Sequence, residues 1–190
     1  MFYISDRDEL SNILLDSNGD DIFTYKNRIL ELVPELIVCN KCEHEHSAHK
    51  YNVYTHILYV VAGVESDITL KLAALFHDIG KPYVKKRVND KVHYWGHEEI
   101  SSIISNLLLK RLGYDESIIN YVCTLIKIHD KKIEPNIIDI KLVIDRIGKM
   151  NFERLLELQT SDISAHSDEY FKIIIPKLDK LKEVYINNKF

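Results

Sequence analysis

The stretch that decides the fold of this chain is LKLAALFHDIGKP, residues 70–82. Its first half is apolar almost throughout, which is typical of a buried helix, and Gly80 followed by Pro82 marks the end of that helix. His77 and Asp78 are therefore predicted to enter the core, where a charge without a partner is costly. An isolated His-Asp pair is more often a surface or capping pair, but in this setting we expect a metal ion as the partner.

Further candidate metal ligands lie on or beside other apolar, helix-like segments. They are His56 in YNVYTHILYVVAGV, His97 at the start of GHEEISSIISNLLLKRLG, His129 near the end of SIINYVCTLIKIHD, and Asp162 in FERLLELQTSDISAH. Each segment repeats apolar residues at helical spacing. Imidazoles and carboxylates suit Fe, Mn, Co, Ni, Zn or Mg. Each residue alone is more often a core or surface residue, so the prediction depends on the set and its order.

Several segments together resemble the HD-domain family of metal-dependent phosphohydrolases. They are HKYNVYTH, LAALFHDIGKP, WGHEEIS, LIKIHD and LLELQTSDISAH. Within this family the chain is most similar to the HD domain of bacterial CCA-adding tRNA nucleotidyltransferases, from about residue 25 to about residue 170. The resemblance implies an all-α helical bundle with a metal site between helices. We expect a helical extension over residues 1–24 and one HD domain over 25–190, without a nucleotidyltransferase head and hence without CCA addition by this chain alone.

The resemblance also implies two sets of metal ligands. The first metal would be held by His56, His77, Asp78 and Asp162, and the second by His97 and His129 with Asp78 bridging. Two positions depart from the family pattern. Ser161 stands where an Ala is common, and Asp130 stands where a Met or His is common. Asp130 is interpreted as a helix-end residue, and the second metal is expected to be less secure than the first.

The implied chemistry is hydrolysis of a phosphate ester. One or two divalent cations on Asp78 would lower the pKa of a bound water to give a hydroxide and offset charge in the phosphoryl transition state. Lys81 lies one turn further on and is predicted to reach a docked phosphate, so Asp78 and Lys81 are the predicted catalytic residues. Lys85 and Arg87, in a basic cluster that could equally be a solvated face, and His49, near the pocket mouth, are further candidate substrate contacts.

The predicted substrate is a phosphomonoester or phosphodiester of a nucleotide or a related small molecule. The net charge of −4 argues against non-specific nucleic-acid binding, so an RNA end is a less favoured partner. A mixed-valent di-iron oxygenase and a non-catalytic binding or signalling module remain alternatives. Neither a run of about 20 apolar residues nor a signal peptide is found, and the sparse cysteines favour a reducing compartment, so a cytoplasmic protein without membrane contact is expected. The oligomeric state stays open.

A competing site and several local elements complete the expectations. Cys39, Cys42, His44, His46 and His49 could form a small zinc loop, although the spacing to a second ligand pair is missing and a solvent-exposed loop is the simpler interpretation. His93 and His166 are predicted at the surface. Helices are predicted over 22–33, 98–112, 115–129, 137–149, 151–165 and 168–187, and the last one is expected to be kinked or split at Pro176. Residues 84–96 are predicted to form a loop or a small hairpin with its turn at Asn89-Asp90.

Overall fold

The structure is a computed structural model that describes residues 5–17, 19–45, 48–188 and 190, and it is mostly helical. The α-helices are α1 (Asp6–Asp16), α2 (Lys26–Leu32), α3 (Ile37–Asn40), α4 (Val53–Gly63), α5 (Ile68–Phe76), α6 (Lys81–Val84), α7 (His97–Leu112), α8 (Glu116–Ile128), α9 (Ile137–Ile147), α10 (Lys149–Ser164) and α11 (Asp168–Asn187). Short 3₁₀ segments cover Gly19–Tyr25 and Pro34–Leu36. The predicted helical fold class is confirmed.

A short antiparallel hairpin connects α6 to α7. Its strands are β1 (Lys86–Val88) and β2 (Lys91–His93). Asn89 and Asp90 between them have φ values of 48° and 60°, the left-handed conformation that a two-residue hairpin turn needs. Of the two predicted alternatives, the hairpin is confirmed, and its turn is at the predicted Asn89-Asp90 dipeptide.

Side-chain caps determine where the helices of the central motif begin. The Asn52 side chain accepts a hydrogen bond of 2.8 Å from the backbone nitrogen of Thr55 at the start of α4. Asp67 accepts one of 2.8 Å from the backbone nitrogen of Leu70 at the start of α5. Such caps stabilise a helix by about 1 kcal/mol. They also set the register, and hence the direction in which the later histidines of each helix point.

The helices that carry the candidate ligands share one apolar core. Helix α5 contacts α4, α8 and α10, and α7 packs along α8. The core side chains Ile57, Leu75, Leu125 and Leu158, one from each of α4, α5, α8 and α10, are fully buried. The predicted interior position of the α5 helix is confirmed, because every residue from Thr69 to Phe76 is buried.

The described part of the N-terminal segment belongs to the same core. Leu10 and Leu14 of α1 are fully buried, as is Ile22, and α1 contacts α5. The division into an extension over 1–24 and an HD domain over 25–190 stays a prediction. The sequence also predicts a turn at Asn18-Gly19, and Asn18 lies outside the described residues.

Two local predictions are corrected in part. The helix predicted over 22–33 begins as the 3₁₀ segment and becomes α-helical only at Lys26, because the Thr24 hydroxyl donates to the Asp21 carbonyl at 2.7 Å and competes with the helix backbone. Of the two alternatives predicted at Pro176, the split is wrong, because α11 continues through this residue, and the kink stays a prediction. Pro176 is exposed, as is Lys172 four residues earlier, so water can satisfy the carbonyl that loses its partner. No helix within the described ranges is long and apolar enough to cross a membrane.

Gly80 fixes the turn after α5 against the start of α7. A Cβ atom at this position would lie 2.5 Å from the His97 carbonyl oxygen and 2.7 Å from the Ser101 backbone nitrogen. The Gly80 backbone nitrogen also donates to the Ser101 hydroxyl at 2.9 Å. The turn that carries His77 and Asp78 is thereby held close to the helix that carries His97.

We expect Gly80→Ala to lower the free energy of unfolding by about 1–3 kcal/mol, because backbone atoms that cannot rotate away would have to shift. The same change should weaken binding of divalent metal. Gly113→Ala is the matched control, since Gly113 has a φ of 83° with nothing within 4 Å of an added Cβ. It should cost stability without changing metal affinity. Denaturant unfolding and metal titration of both variants test this, and unchanged metal affinity in Gly80→Ala would contradict it.

Candidate metal centre

Asp78 lies at the centre of the cluster, in the turn between α5 and α6, and is only 1% exposed. Its oxygen Oδ2 lies 3.6 Å from Nε2 of His56 and 3.3 Å from Nε2 of His77. Its other oxygen, Oδ1, lies 3.3 Å from Nε2 of His97 and 3.8 Å from Nε2 of His129. Each carboxylate oxygen therefore faces its own pair of imidazoles.

Asp162 of α10 completes the first group. Its Oδ1 lies 2.9 Å from Nε2 of His56 and 3.8 Å from Nε2 of His77. Neighbouring donors around one metal are roughly 3.0–3.4 Å apart when the bonds are about 2.1 Å long. The spacings in this group are close to that range. The structure thus brings together His56, His77, Asp78 and Asp162, the residues proposed for the first metal.

The histidine rings are oriented by hydrogen bonds to the backbone. Each of His77, His97 and His129 has its Nδ1 next to a carbonyl oxygen three residues earlier, at 2.8, 3.0 and 2.7 Å. A carbonyl only accepts, so each Nδ1 carries the hydrogen. In the neutral rings Nε2 then presents a lone pair to the centre of the cluster, the arrangement usual for metal-bound histidine.

Several buried atoms of the cluster have no hydrogen-bond partner among the described residues. They are Nδ1 of His56, Nε2 of His77 and Oδ1 of Asp78. Leaving one such group unsatisfied costs about 1–3 kcal/mol. Nε2 of His97 and Nε2 of His129 also face each other at 3.3 Å, where either a shared proton or a metal ion would offset the repulsion of two lone pairs. The donor set therefore fits divalent metal.

The charges in the cluster set the protonation states that a metal ion would meet. Burial by itself would raise the pKa of Asp78, but the positive charges of His77 and Lys81 hold it well below its usual value. Burial lowers the pKa of His56 and of His129, so these rings are neutral. Burial would also lower the pKa of His77, but the adjacent Asp78 carboxylate raises it to about 9. A metal ion bound there replaces that proton.

The side chain of Lys81, at the start of α6, extends into the cluster. It is 7% exposed, and its Nζ lies 2.7 Å from Oδ2 of Asp78 and 3.4 Å from Nε2 of His44. Burial would lower its pKa, but the Asp78 carboxylate raises it, so the side chain stays an ammonium. The structure thus brings Lys81 together with the predicted ligands.

The other basic candidates are engaged elsewhere. Nζ of Lys85 lies 2.6 Å from a carboxylate oxygen of Glu45 and donates to the Glu43 carbonyl at 2.6 Å. Arg87 forms an ion pair with the second oxygen of the same Glu45 carboxylate. Lys85 and Arg87 therefore link the hairpin region to the segment before α4, and their ion pairs among the described residues are with Glu45 and not with the metal ligands.

Further histidines surround the first ligand group, and sequence reasoning missed two of them. His166 was predicted at the surface, and this is wrong: it is 8% exposed, and its Nδ1 donates to the Asp162 carbonyl at 2.7 Å. His44 is buried and stacks on His49, with ring centroids 3.6 Å apart. His49 and His166 pair through their backbones and, with His56, form another set of possible metal donors. The i,i+4 spacing of His166 from Asp162 was the available signal.

The proposed zinc loop is not assembled in the described part of the chain. Cys39 is in the core, with its thiol near the Ile79 carbonyl at 3.8 Å, and burial raises its pKa. Cys42 is also buried, and no group of possible metal ligands among the described residues contains either cysteine. His46 lies outside those residues. The alternative of a solvent-exposed loop is also wrong for Cys39 and Cys42, which pack into the protein.

Asp130 does more than end a helix. It lies two residues after the end of α8, and its carboxylate lies 3.4 Å from Nε2 of His97 and 3.6 Å from Nε2 of His129. These residues form a further group of possible metal donors. His93, the other residue predicted at the surface, is half-buried and stacks on Trp95 with centroids 4.1 Å apart.

A cavity of about 470 Å³ lies away from this cluster, between α4, α10 and α11. Tyr59, Leu156 and Tyr185 are among its lining residues, and none of the predicted metal ligands is. Its wall offers no imidazole, so the candidate centre is the His/Asp cluster and not this cavity.

We expect divalent metal to stabilise the folded protein, because it binds the assembled cluster and satisfies its unpaired buried atoms. At a metal concentration 100 times Kd, the gain is about 2.7 kcal/mol. Thermal unfolding of the chelator-treated protein, with and without added Mn²⁺, Co²⁺ or Zn²⁺, measures it. Monovalent salt at equal ionic strength is the control. Identical unfolding midpoints with every metal would contradict the metal centre.

Comparison with known proteins agrees with this geometry. The profile of the HD domain matches residues 47–165, more than half of the chain. The chain is also similar to the CC-adding tRNA nucleotidyltransferase of Thermus thermophilus, at 28% identity over 65% of this chain. It spans only 30% of that relative's length. The matched segment contains the His-Asp dipeptide and all the other predicted ligands, and the chain belongs to the HD-domain family.

Proposed function

We propose that this protein is a metal-dependent phosphohydrolase that acts on a phosphate ester of a nucleotide or a related small molecule. One observation carries the proposal. The buried Asp78 turns each of its oxygens to a separate pair of imidazoles, and the Lys81 ammonium lies 2.7 Å from the same carboxylate. Membership in the HD-domain family supports it, because such domains are typically metal-dependent phosphohydrolases.

In this proposal His56, His77 and Asp162 would hold one metal, His97 and His129 would hold another, and Asp78 would contribute an oxygen to each. Bound divalent metals would supply an activated water and offset charge on the phosphoryl group. The protein's own contribution is rigidity. Ring orientations set by backbone hydrogen bonds keep the donors in place, so little reorganisation is needed during the reaction.

Lys81 is proposed to bind a non-bridging phosphate oxygen. It remains an ammonium although it is almost fully buried, because Asp78 is next to it. A fixed positive charge in a site from which water is largely excluded stabilises developing negative charge more than it would in water. Its reach from the start of α6 places this charge on the same side of Asp78 as His77.

The histidines around the first ligand group are proposed to form the wall of the substrate pocket. Burial, followed by the nearby Lys81 charge, lowers the pKa of His44 to about 3, and burial lowers that of His49 as well. Both rings are therefore neutral at physiological pH. Nδ1 of His44 donates to the Tyr51 carbonyl at 2.8 Å, so its Nε2 can accept from a sugar hydroxyl but cannot donate to a phosphate. The neutral His49 ring beside it is the one proposed to contact the substrate, without adding charge.

Lys85 and Arg87 are proposed as outer contacts of the substrate. Because both are paired with Glu45, a phosphate must displace that carboxylate to reach them. Such exposed ion pairs stabilise a protein by about 0–1 kcal/mol, so displacing the Glu45 carboxylate costs little free energy. The net charge of −4 favours a small nucleotide over a long nucleic acid. The similarity to a tRNA-processing relative makes an RNA end the second candidate substrate.

Replacing the bridging carboxylate tests the mechanism. We expect Asp78→Ala to lose bound metal and to reduce phosphate release to background, because both proposed sites share this residue. Asp179→Ala on the exposed face of α11 is the matched control and should retain both. Metal analysis and phosphate release from a panel of nucleotides measure the outcome. Full activity in Asp78→Ala would sink the mechanism.

Replacing Lys81 tests the proposed phosphate contact. Lys81→Met should lower kcat/KM by about 10²-fold or more, the usual loss for one donor to the transition state. Lys86→Met is the control, because Lys86 lies in the same basic segment but is exposed and not assigned to the substrate. It should leave kcat/KM within a few-fold. Equal losses in the two variants would show that the basic segment acts only through its overall charge.

The oxygenase alternative predicts a different dependence on oxygen and iron. A hydrolase should release phosphate without oxygen when loaded with Mn²⁺ or Co²⁺. A di-iron oxygenase should be inactive under those conditions and show a redox-active iron signal instead. Phosphate release under argon from the manganese-loaded protein separates the two, and oxygen-dependent turnover without phosphate release would overturn the proposal.

A further inference from the structure

We propose that Asp130 is a ligand of the second metal, so that this chain holds two metals with matched sets of donors. The inference rests on the proposed metal-dependent function and adds a residue that the family resemblance did not assign. With Asp130, each metal would have two imidazoles, one carboxylate of its own and one oxygen of Asp78.

The distances around the second group support this assignment. Nε2 of His97 lies 3.3 Å from Nε2 of His129 and 3.4 Å from Oδ2 of Asp130. Nε2 of His129 lies 3.6 Å from Oδ1 of Asp130. Oδ1 of Asp78 lies 3.3 and 3.8 Å from the two rings. Donors around a four-coordinate metal with bonds of about 2.1 Å are about 3.4 Å apart, and these spacings cluster around that value.

The turn that presents Asp130 is held in place from another helix. The side-chain nitrogen of Gln159 on α10 donates to the His129 carbonyl at 2.7 Å and to the Lys131 carbonyl at 3.0 Å. The backbone nitrogen of Lys131 also donates to the Ile128 carbonyl at 2.9 Å. The residues on both sides of Asp130 are therefore fixed. Its carboxylate stays near the rings although no helix continues through this position.

A second observation points to a cation at the same place. Oδ1 of Asp78, which faces His97 and His129, is buried and has no hydrogen-bond partner among the described residues. His97 and His129 donate their Nδ1 hydrogens to backbone carbonyls, so Nε2 of each ring is the nitrogen that faces Oδ1. A metal ion between these atoms would satisfy both rings and both carboxylates.

The two proposed sites differ in their access to solvent. The Asp162 side chain is 13% exposed, whereas the Asp130 side chain is 57% exposed. The donors are alike, so we expect similar intrinsic affinity, but the second metal should exchange faster because water and chelators reach it through Asp130. The second site is then the one that opens to solvent during metal loading.

Metal binding by Asp130 variants tests the inference with a readout that needs no turnover. With Co²⁺ as the probe, the wild type should bind about two metals per chain, and Asp130→Asn about one, with the second Kd weaker by about 100-fold or more. Asp130→His, which restores a donor, should recover the second metal. Glu134→Gln is the matched control, because Glu134 is an exposed acid in the same loop, and it should bind as the wild type does.

The outcomes separate this inference from the proposed function. Two tightly bound metals in Asp130→Asn would overturn the role of Asp130 and leave the phosphohydrolase proposal standing. Loss of both metals in Asp130→Asn would overturn the assignment to one site. A wild type that binds no Co²⁺, measured by calorimetry and by cobalt absorption, would overturn both proposals. One metal in Asp130→Asn, and two in Asp130→His, is the result that the structure predicts.

Discussion

The burial of one carboxylate, Asp78, is the constraint on which the rest of the structure depends. Moving a charged group into the interior costs several kcal/mol after the protein relaxes. Here the group lies at the end of an apolar helix. The Lys81 ammonium lies 2.7 Å from Oδ2, and Oδ1 has no hydrogen-bond partner among the described residues. A metal ion on each side, surrounded by imidazoles, would replace the lost hydration. The arrangement of α4, α7, α8 and α10 around α5 supplies those imidazoles.

The packing around Asp78 explains why this arrangement is rigid. Helix α5 is buried along its length, and the turn after it is pressed against α7 at Gly80, where even a methyl group does not fit. The histidines are tied to the backbone of their own helices, so their ring directions follow from helix positions. Stability and metal geometry are therefore coupled, because a shift of any of these helices moves a ligand.

Much of this could be predicted from the sequence because the main ligands lie on buried helices. A buried imidazole or carboxylate on an apolar helix needs other buried polar groups as partners. This is why the sequence could predict that His56, His77 and Asp162 lie together. Other parts depend on contacts between distant loops, which periodicity does not encode. The pairing of His49 with His166 joins residues far apart in the chain. The ion pairs of Lys85 and Arg87 with Glu45 could not be predicted for the same reason.

The measurement that tests the central claim most directly is anomalous diffraction from crystals of the protein loaded with Mn²⁺. The account predicts two peaks, one beside each carboxylate oxygen of Asp78 at about 2.1 Å. One peak should lie among His56, His77 and Asp162, and the other between His97 and His129. A fully loaded crystal with a single peak, or with peaks only away from Asp78, would contradict the bridged centre.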